Sequence, residues 1–115
     1  MKNENDWIDG FPGMISVCDA EGKILVMNKK IADYFASTSG KKLIGSSMFD
    51  CHGAESGAQV RQLLADQKTS VYTTGEQDGS QELVIHAPWF KDGQFAGLVE
   101  ISLPFQGEIR RNKHP

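Results

Sequence analysis

Few features of this 115-residue sequence favour a membrane, disulfide-rich or nucleic-acid-binding protein. Its two cysteines are too few for a disulfide framework and predict reduced thiols in a cytoplasmic protein. Its apolar runs span a few residues each, far short of the ~20 that a membrane-spanning helix needs, and its polar N-terminus lacks a secretory signal. Twelve basic against fifteen acidic residues leave a net charge of −3, whereas a nucleic-acid-binding surface carries the opposite bias. We therefore expect no membrane and no nucleic-acid partner.

The segment 13–28 carries the strongest local pattern. Two short apolar runs, Met14–Val17 and Ile24–Met27, flank the polar turn Asp19–Gly22. Aspartate favours turns and glycine adopts positive φ readily, so this pattern predicts a tight β-hairpin. Asn28 follows at once, where its side-chain oxygen would accept a backbone N–H and cap a helix.

Helical patterns occupy the middle of the chain. Apolar residues at i, i+3 and i+4 spacing predict a helix over residues 29–37. A second helix is predicted to begin at Ser56, which pairs with Gln59 in a capping box, and to end near Lys68.

Three strands are predicted in the last third of the chain, over residues 71–74, 83–90 and 95–105. Pro88 indicates a bulge or an exposed edge, and residues 91–94 form a second hairpin turn. Apolar residues at alternate positions of the last strand are typical of a half-buried strand. Two strands, a helical block and three more strands predict an α+β domain with an antiparallel sheet and its helices on one face.

The domain itself is expected over residues 13–105. Residues 1–12 are predicted to form a short helix, in which Trp7, Ile8 and Phe11 make an apolar covering element, and residues 106–115 to form a tail.

Three motifs in this order resemble the PAS sensor-domain family over residues 11–105. Asp19-Ala20-Glu21-Gly22-Lys23-Ile24 followed by Asn28 is similar to the opening of the family, Leu43-Ile44-Gly45 to its connector, and residues 92–101 to its closing strand. The resemblance implies a five-stranded antiparallel sheet whose concave face and helices enclose a small-molecule pocket. It also implies a bacterial sensory module that forms homodimers through its N-terminal segment and signals to an effector protein.

The resemblance suggests which apolar residues form the pocket wall. A solid core built from the same residues is equally compatible with the sequence, which leaves a ligand-independent interaction or dimerisation module as the alternative. The expected wall residues are Val17, Val26, Phe35, Val60, Leu64, Ile85, Val99 and Ile101.

Cys51 and His52 are the one adjacent pair of reactive residue types. They resemble a Cys-His pair that a subset of bacterial PAS modules carries before the long helix, and His52 is a candidate haem ligand. Haem-sensing PAS domains usually place this histidine inside the helix, whereas Val60–Lys68 contains none, so His52 alternatively bonds to loop backbone. The Asn-Cys-Arg-Phe-Leu-Gln motif of flavin-binding LOV domains is missing, and the cysteine and histidine spacing predicts no zinc site.

His86 and Glu100 interrupt otherwise apolar strands. A hairpin through residues 91–94 would bring the two side chains near each other on one face of the sheet. They form either a solvent-facing pair or a polar contact for a ligand or dimer surface. Neither this pair nor the Cys51-His52 pair supplies a full nucleophile or acid–base constellation, so we expect no enzymatic activity.

Overall fold

A computed structural model describes residues 6–35, 44–47, 54–75 and 79–112, and these residues form five antiparallel strands and three helices. The elements in chain order are α1 (Asp6–Gly10), β1 (Met14–Asp19), β2 (Ile24–Met27), α2 (Lys29–Tyr34), α3 (Ala54–Asp66), β3 (Ser70–Gly75), β4 (Gln81–Lys91) and β5 (Gln94–Phe105). The strands lie in the order β2-β1-β5-β4-β3, so β1 pairs with β5 at the centre of the sheet. The predicted fold class is confirmed.

The β1–β2 hairpin is held by the aspartate of its turn. Asp19 Oδ1 accepts the backbone N–H groups of Glu21 and Lys23 at 3.0 and 2.8 Å. Gly22 follows with a φ of 87°, a conformation that glycine adopts without a steric penalty. The predicted hairpin is therefore confirmed, together with the reason for its turn residues.

Asn28 caps α2 as predicted and also joins three parts of the fold. Its side chain is fully buried, and Oδ1 accepts the N–H groups of Ile31 at 3.2 Å and Ile15 at 3.0 Å. Its Nδ2 donates to the carbonyl oxygens of Ile8 at 3.0 Å and Gly13 at 2.8 Å. One amide thereby connects α1 and β1 to the first turn of α2.

Hydrogen bonds between side chains and backbone attach the N-terminal helix α1 to the start of α2. Besides the bond from Asn28 to Ile8, Asp9 Oδ1 accepts the N–H of Lys29 at 2.9 Å. The predicted short helix is present, but Trp7 is 64% exposed, so its ring covers little of the described domain.

The long helix α3 begins at Ala54, two residues before the predicted start. The capping role predicted for Ser56 is wrong, because Ser56 lies inside the helix; alanine and glutamate at positions 54–55 are good helix formers and extend it. The helix ends before Gln67, whose φ is 52° and whose N–H donates to the Leu63 carbonyl at 3.1 Å. Within the described ranges, no helix is long and apolar enough to cross a bilayer.

The helices pack on one face of the sheet, and the main core lies between them. Alternation along each strand places Cys18 of β1 and Leu98 of β5 on this helix-facing side, where they are paired neighbours. The buried core cluster consists of Cys18, Ile24, Met27, Val60 and Leu98, with Ile31, Phe35, Leu63 and Leu64 packed against it.

The opposite face of the sheet is also apolar. Val17 pairs with Val99, and Ile85 pairs with Ile101, so these side chains lie on the side away from the core cluster. Val71, on the edge strand β3, extends this face and is 57% exposed. We call this set of residues the outer face.

Pro88 lies where β4 has lost one neighbour, as predicted. Strand β3 pairs with residues Gln81 to His86 only, so Pro88 lies beyond that pairing and needs no hydrogen-bond donor on that side. The register with β5 shifts between Trp89 and Phe90, directly after the proline.

Candidate functional site

A cavity of about 560 Å³ lies between α3 and the helix-facing side of the sheet. Its volume falls in the range of small-molecule pockets, roughly 300–1,000 Å³. Helix α3 supplies one wall and strands β3, β4 and β5 supply the other. The described lining residues are Gln59, Val60, Gln62, Leu63, Ser70, Tyr72, His86 and Glu100.

A histidine–glutamate pair forms the floor of this cavity. His86 and Glu100 are direct cross-strand partners, and Nε2 of the histidine lies 3.4 Å from Oε1 of the glutamate. The predicted polar contact between them is therefore confirmed, and it faces α3. His86 is only 9% exposed, whereas the Glu100 side chain is 26% exposed, so the pair is partly buried at the wall of the cavity.

The ring of Tyr72 lies beside the imidazole. The two ring centroids are 6.2 Å apart, and the ring planes are inclined by 21°, which is a stacked arrangement. Tyr72 is 48% exposed and is one of the residues that line the cavity. The Nδ1 atom of His86 is buried and has no hydrogen-bond partner among the described residues.

The thiol of Cys18, on the helix-facing side of the sheet, is chemically unreactive. Cys18 is 1% exposed, and burial raises the pKa of its thiol, while the negative charges of Asp19 and Glu100 raise it further. A thiol with a raised pKa remains protonated at neutral pH and is a poor nucleophile. Cys18 therefore acts as a core residue.

The predicted pocket residues fall into three groups. Val60 lines the cavity, while Phe35 and Leu64 pack against the core cluster next to it. Val26 is 38% exposed on β2, opposite Val17. The remaining four lie on the outer face, away from this cavity: Val17, Ile85, Val99 and Ile101.

Sequence reasoning selected the apolar set of alternating positions in β4 and β5. The other set, which includes His86 and Glu100, lies on the helix-facing side of the sheet and lines the cavity. Ser70 and Tyr72 were missed, although both follow from the register of β3 opposite His86. Two polar residues interrupting apolar strands at paired positions were the available signal.

Cys51 and His52 lie outside the described residues, so the haem hypothesis for His52 stays a prediction. Within the described part of the chain, no group of three His, Cys, Asp or Glu side chains is arranged to hold a metal ion.

Comparison with known proteins gives one family and several solved structures. The profile of the family described as "PAS fold" matches residues 8–107, which is most of the chain. No curated protein matches the sequence.

Three solved structures illustrate the structural similarity. The PAS domain of Bordetella pertussis BvgS has a TM-score of 0.66 at 17% identity and covers 90% of this chain and 84% of its own. A sensory box sensor histidine kinase from Vibrio cholerae has a TM-score of 0.64 at 11% identity and covers 90% of both chains. VqmA of Vibrio cholerae has a TM-score of 0.65 at 15% identity and covers 88% of this chain, which spans 49% of VqmA. At these identities, the similarity establishes a shared fold.

Proposed function

The chain belongs to the PAS fold family, and we propose that it is a non-catalytic sensory module of cytoplasmic signalling. In this proposal, a small molecule binds in the cavity between α3 and the sheet. Binding then changes the packing of the sheet and is relayed to an effector protein through dimer contacts.

The observation that carries this proposal is a polar pair placed inside a cavity. Burying His86 with its Nδ1 atom unpaired among the described residues costs about 1–3 kcal/mol that an apolar residue at this position would not cost. In an interaction module with a solid core, buried polar groups at this position would serve no purpose. In a ligand pocket they have a function, because a few polar groups on an apolar wall orient a ligand.

Similar proteins support a sensory role. VqmA is described both as a dimer and as bound to DPO, and another similar structure is a sensor histidine kinase. This chain spans about half of VqmA, so what the remainder of that protein does gives no guide here.

Ligand binding is tested by screening a fragment library against the ¹⁵N-labelled protein and recording amide chemical shifts. Binding in the cavity predicts shifts at Ser70, Tyr72, His86 and Glu100 and in the middle of α3. Saturable shifts at these positions would support the proposal.

A blocking variant makes this screen specific. Ser70→Trp places a large ring at the cavity wall and should abolish the shifts. Thr74→Trp is the matched control, because Thr74 is exposed on the same strand but does not line the cavity. Equal binding of the fragments to both variants would contradict the proposal. So would the absence of chemical-shift changes at the cavity residues with every fragment.

We propose the outer face as the dimer contact through which the signal is relayed. Large apolar side chains on one face of a sheet are normally covered, and here Val71 remains 57% exposed. A second copy of the chain would cover this face. The Asn28 hydrogen bonds connect α1 to β1, which gives the N-terminal segment a mechanical link to the same sheet.

Light scattering after size exclusion tests this dimer. Val71→Lys should shift the mass toward the monomer, because it places a charge on the outer face. Thr74→Lys is the control, since Thr74 is exposed on the other side of β3. A monomeric wild type at micromolar concentration, or a mass unaffected by Val71→Lys, would favour a module that acts without this dimer.

A further inference from the structure

We propose that the free edge of strand β3 pairs with β3 of a second copy of the chain, so that the two sheets join into one continuous antiparallel sheet. Edge pairing requires neither a ligand nor the outer-face contact, so it goes beyond the proposed function. It follows from the backbone of the two edge strands, β2 and β3, which differ in what covers them.

Strand β3 is the last strand on its side of the sheet. It pairs with β4 alone, through residues Ser70 to Gly75. In an antiparallel edge strand, every second residue directs its N–H and C=O groups away from the sheet. Residues 71–75 are exposed, and no described residue bonds to these outward backbone groups. The strand therefore presents a row of donors and acceptors to a strand from another chain.

The start of the other edge strand, β2, is covered by the chain itself. Ile24 donates its N–H to the Ser46 carbonyl oxygen at 2.8 Å and accepts the N–H of Gly45 at 2.7 Å. Lys23, just before β2, forms a further bridge with Ser47. Over the described residues, the fold thus covers backbone at one edge of the sheet and leaves the other edge open.

A second β3 is the strand that fits this edge. Two antiparallel copies of one strand, related by a two-fold axis perpendicular to the sheet, present matching donors and acceptors to each other. Residues 70–75 contain no charged residue and no proline, so no register places like charges opposite each other or lacks a donor. Natural edge strands commonly carry lysine or proline to prevent such pairing, and β3 carries neither.

This pairing would place the ligand cavities of the two copies close to the contact between them. A two-fold axis perpendicular to the sheet keeps the helix-facing sides of both copies on the same side. Ser70 and Tyr72 of β3 line the cavity, so each cavity would adjoin the contact. Each strand contributes only 6 residues, and a contact of this size is typical of a weak, concentration-dependent dimer.

Hydrogen exchange of the backbone amides, measured by NMR on the ¹⁵N-labelled protein at two concentrations, tests the pairing. Every second amide of β3 should exchange at least about threefold more slowly at about 1 mM than at about 0.05 mM, because the outward N–H groups gain an acceptor. The intervening amides already bond to β4, so they serve as the internal control and should change little.

Proline at two adjacent positions of β3 assigns the protection to the backbone. Thr73→Pro and Thr74→Pro each remove one N–H, and alternation makes one of the two N–H groups face outward and the other face β4. The outward variant should keep a Tm near that of the wild type and lose the concentration-dependent protection. Thr73→Ala and Thr74→Ala are the matched controls, because they remove the same side chains and keep the N–H groups.

The exchange pattern of the wild type decides the question even if neither proline variant folds. Equal exchange rates at both concentrations for every β3 amide would overturn the edge dimer. Slower exchange without the alternating pattern would also overturn it, because a face-to-face contact pairs no backbone groups of β3. Protection that persists in both proline variants would overturn it as well. None of these results bears on ligand binding in the cavity, which the fragment screen tests separately.

Discussion

Replacing Asn28 by alanine should destabilise the domain more than any exposed polar substitution. The change removes two bonds accepted by Oδ1 and two donated by Nδ2 at a position with no solvent exposure. It also deprives α2 of its N-cap, a loss of about 1 kcal/mol. The variant also leaves backbone groups of Ile15, Gly13 and Ile8 without their hydrogen-bond partner. Each group lowers the free energy of unfolding by about a further 1 kcal/mol when water cannot reach it.

The combined loss is about 3–5 kcal/mol, since effects within one hydrogen-bond network do not add fully. Such a loss would lower the Tm by roughly 10–20 °C for a domain of this size. Urea unfolding followed by circular dichroism measures it.

Two further variants identify the cause. Asn28→Asp keeps both accepting bonds but loses the donated pair and buries a charge, so it should also be strongly destabilised. Asn112→Ala changes the same residue type at an exposed position and should stay within about 0.5 kcal/mol of the wild type. A loss below about 1 kcal/mol for Asn28→Ala would refute the view that this amide joins α1, β1 and α2.

Three other predictions concern the centre of the sheet. Gly97→Ala should lower the free energy of unfolding by more than about 2 kcal/mol, because φ is 149° and a Cβ atom would collide with the Cys18 carbonyl oxygen. A Cβ atom at Gly75 meets open space, so Gly75→Ala should leave the thermal melt nearly unchanged. Trp89→Phe should lower the free energy of unfolding in urea by about 1–2 kcal/mol, because it removes the indole N–H that donates to the Cys18 carbonyl oxygen at 3.0 Å. No measurable change would show that water replaces the indole as the donor. Burial raises the pKa of the Cys18 thiol, so at high pH the folded state retains a proton that the unfolded chain loses. The free energy of unfolding should therefore be unaffected by this thiol below pH 9 and should fall as the pH rises above it. An equal dependence of stability on pH in the wild type and in Cys18→Ala would contradict this.

Local sequence patterns predicted much of the fold because local interactions determine it. The turn at Asp19 and the cap at Asn28 each depend on side chains that bond to nearby backbone. The pairing of His86 with Glu100 followed from counting residues on either side of a short hairpin turn.

The cavity wall could not be read in the same way. Alternation in β5 divides its residues between two faces, but it does not say which face the helices cover. Val99 and Ile101 form the more apolar set, yet the helix-facing side is the one that carries Glu100. When both faces of a sheet carry apolar residues, the more apolar face cannot be assumed to be the one that the helices cover. The approach of Tyr72 and α3 to this site depends on tertiary packing, which periodicity does not encode.

A crystal structure of the protein with a fragment from the binding screen would test the central claim most directly. We predict electron density for the fragment beneath α3, beside Tyr72 and the His86–Glu100 pair. Density confined to the outer face, against Val99 and Ile101, would contradict the assignment of the ligand site.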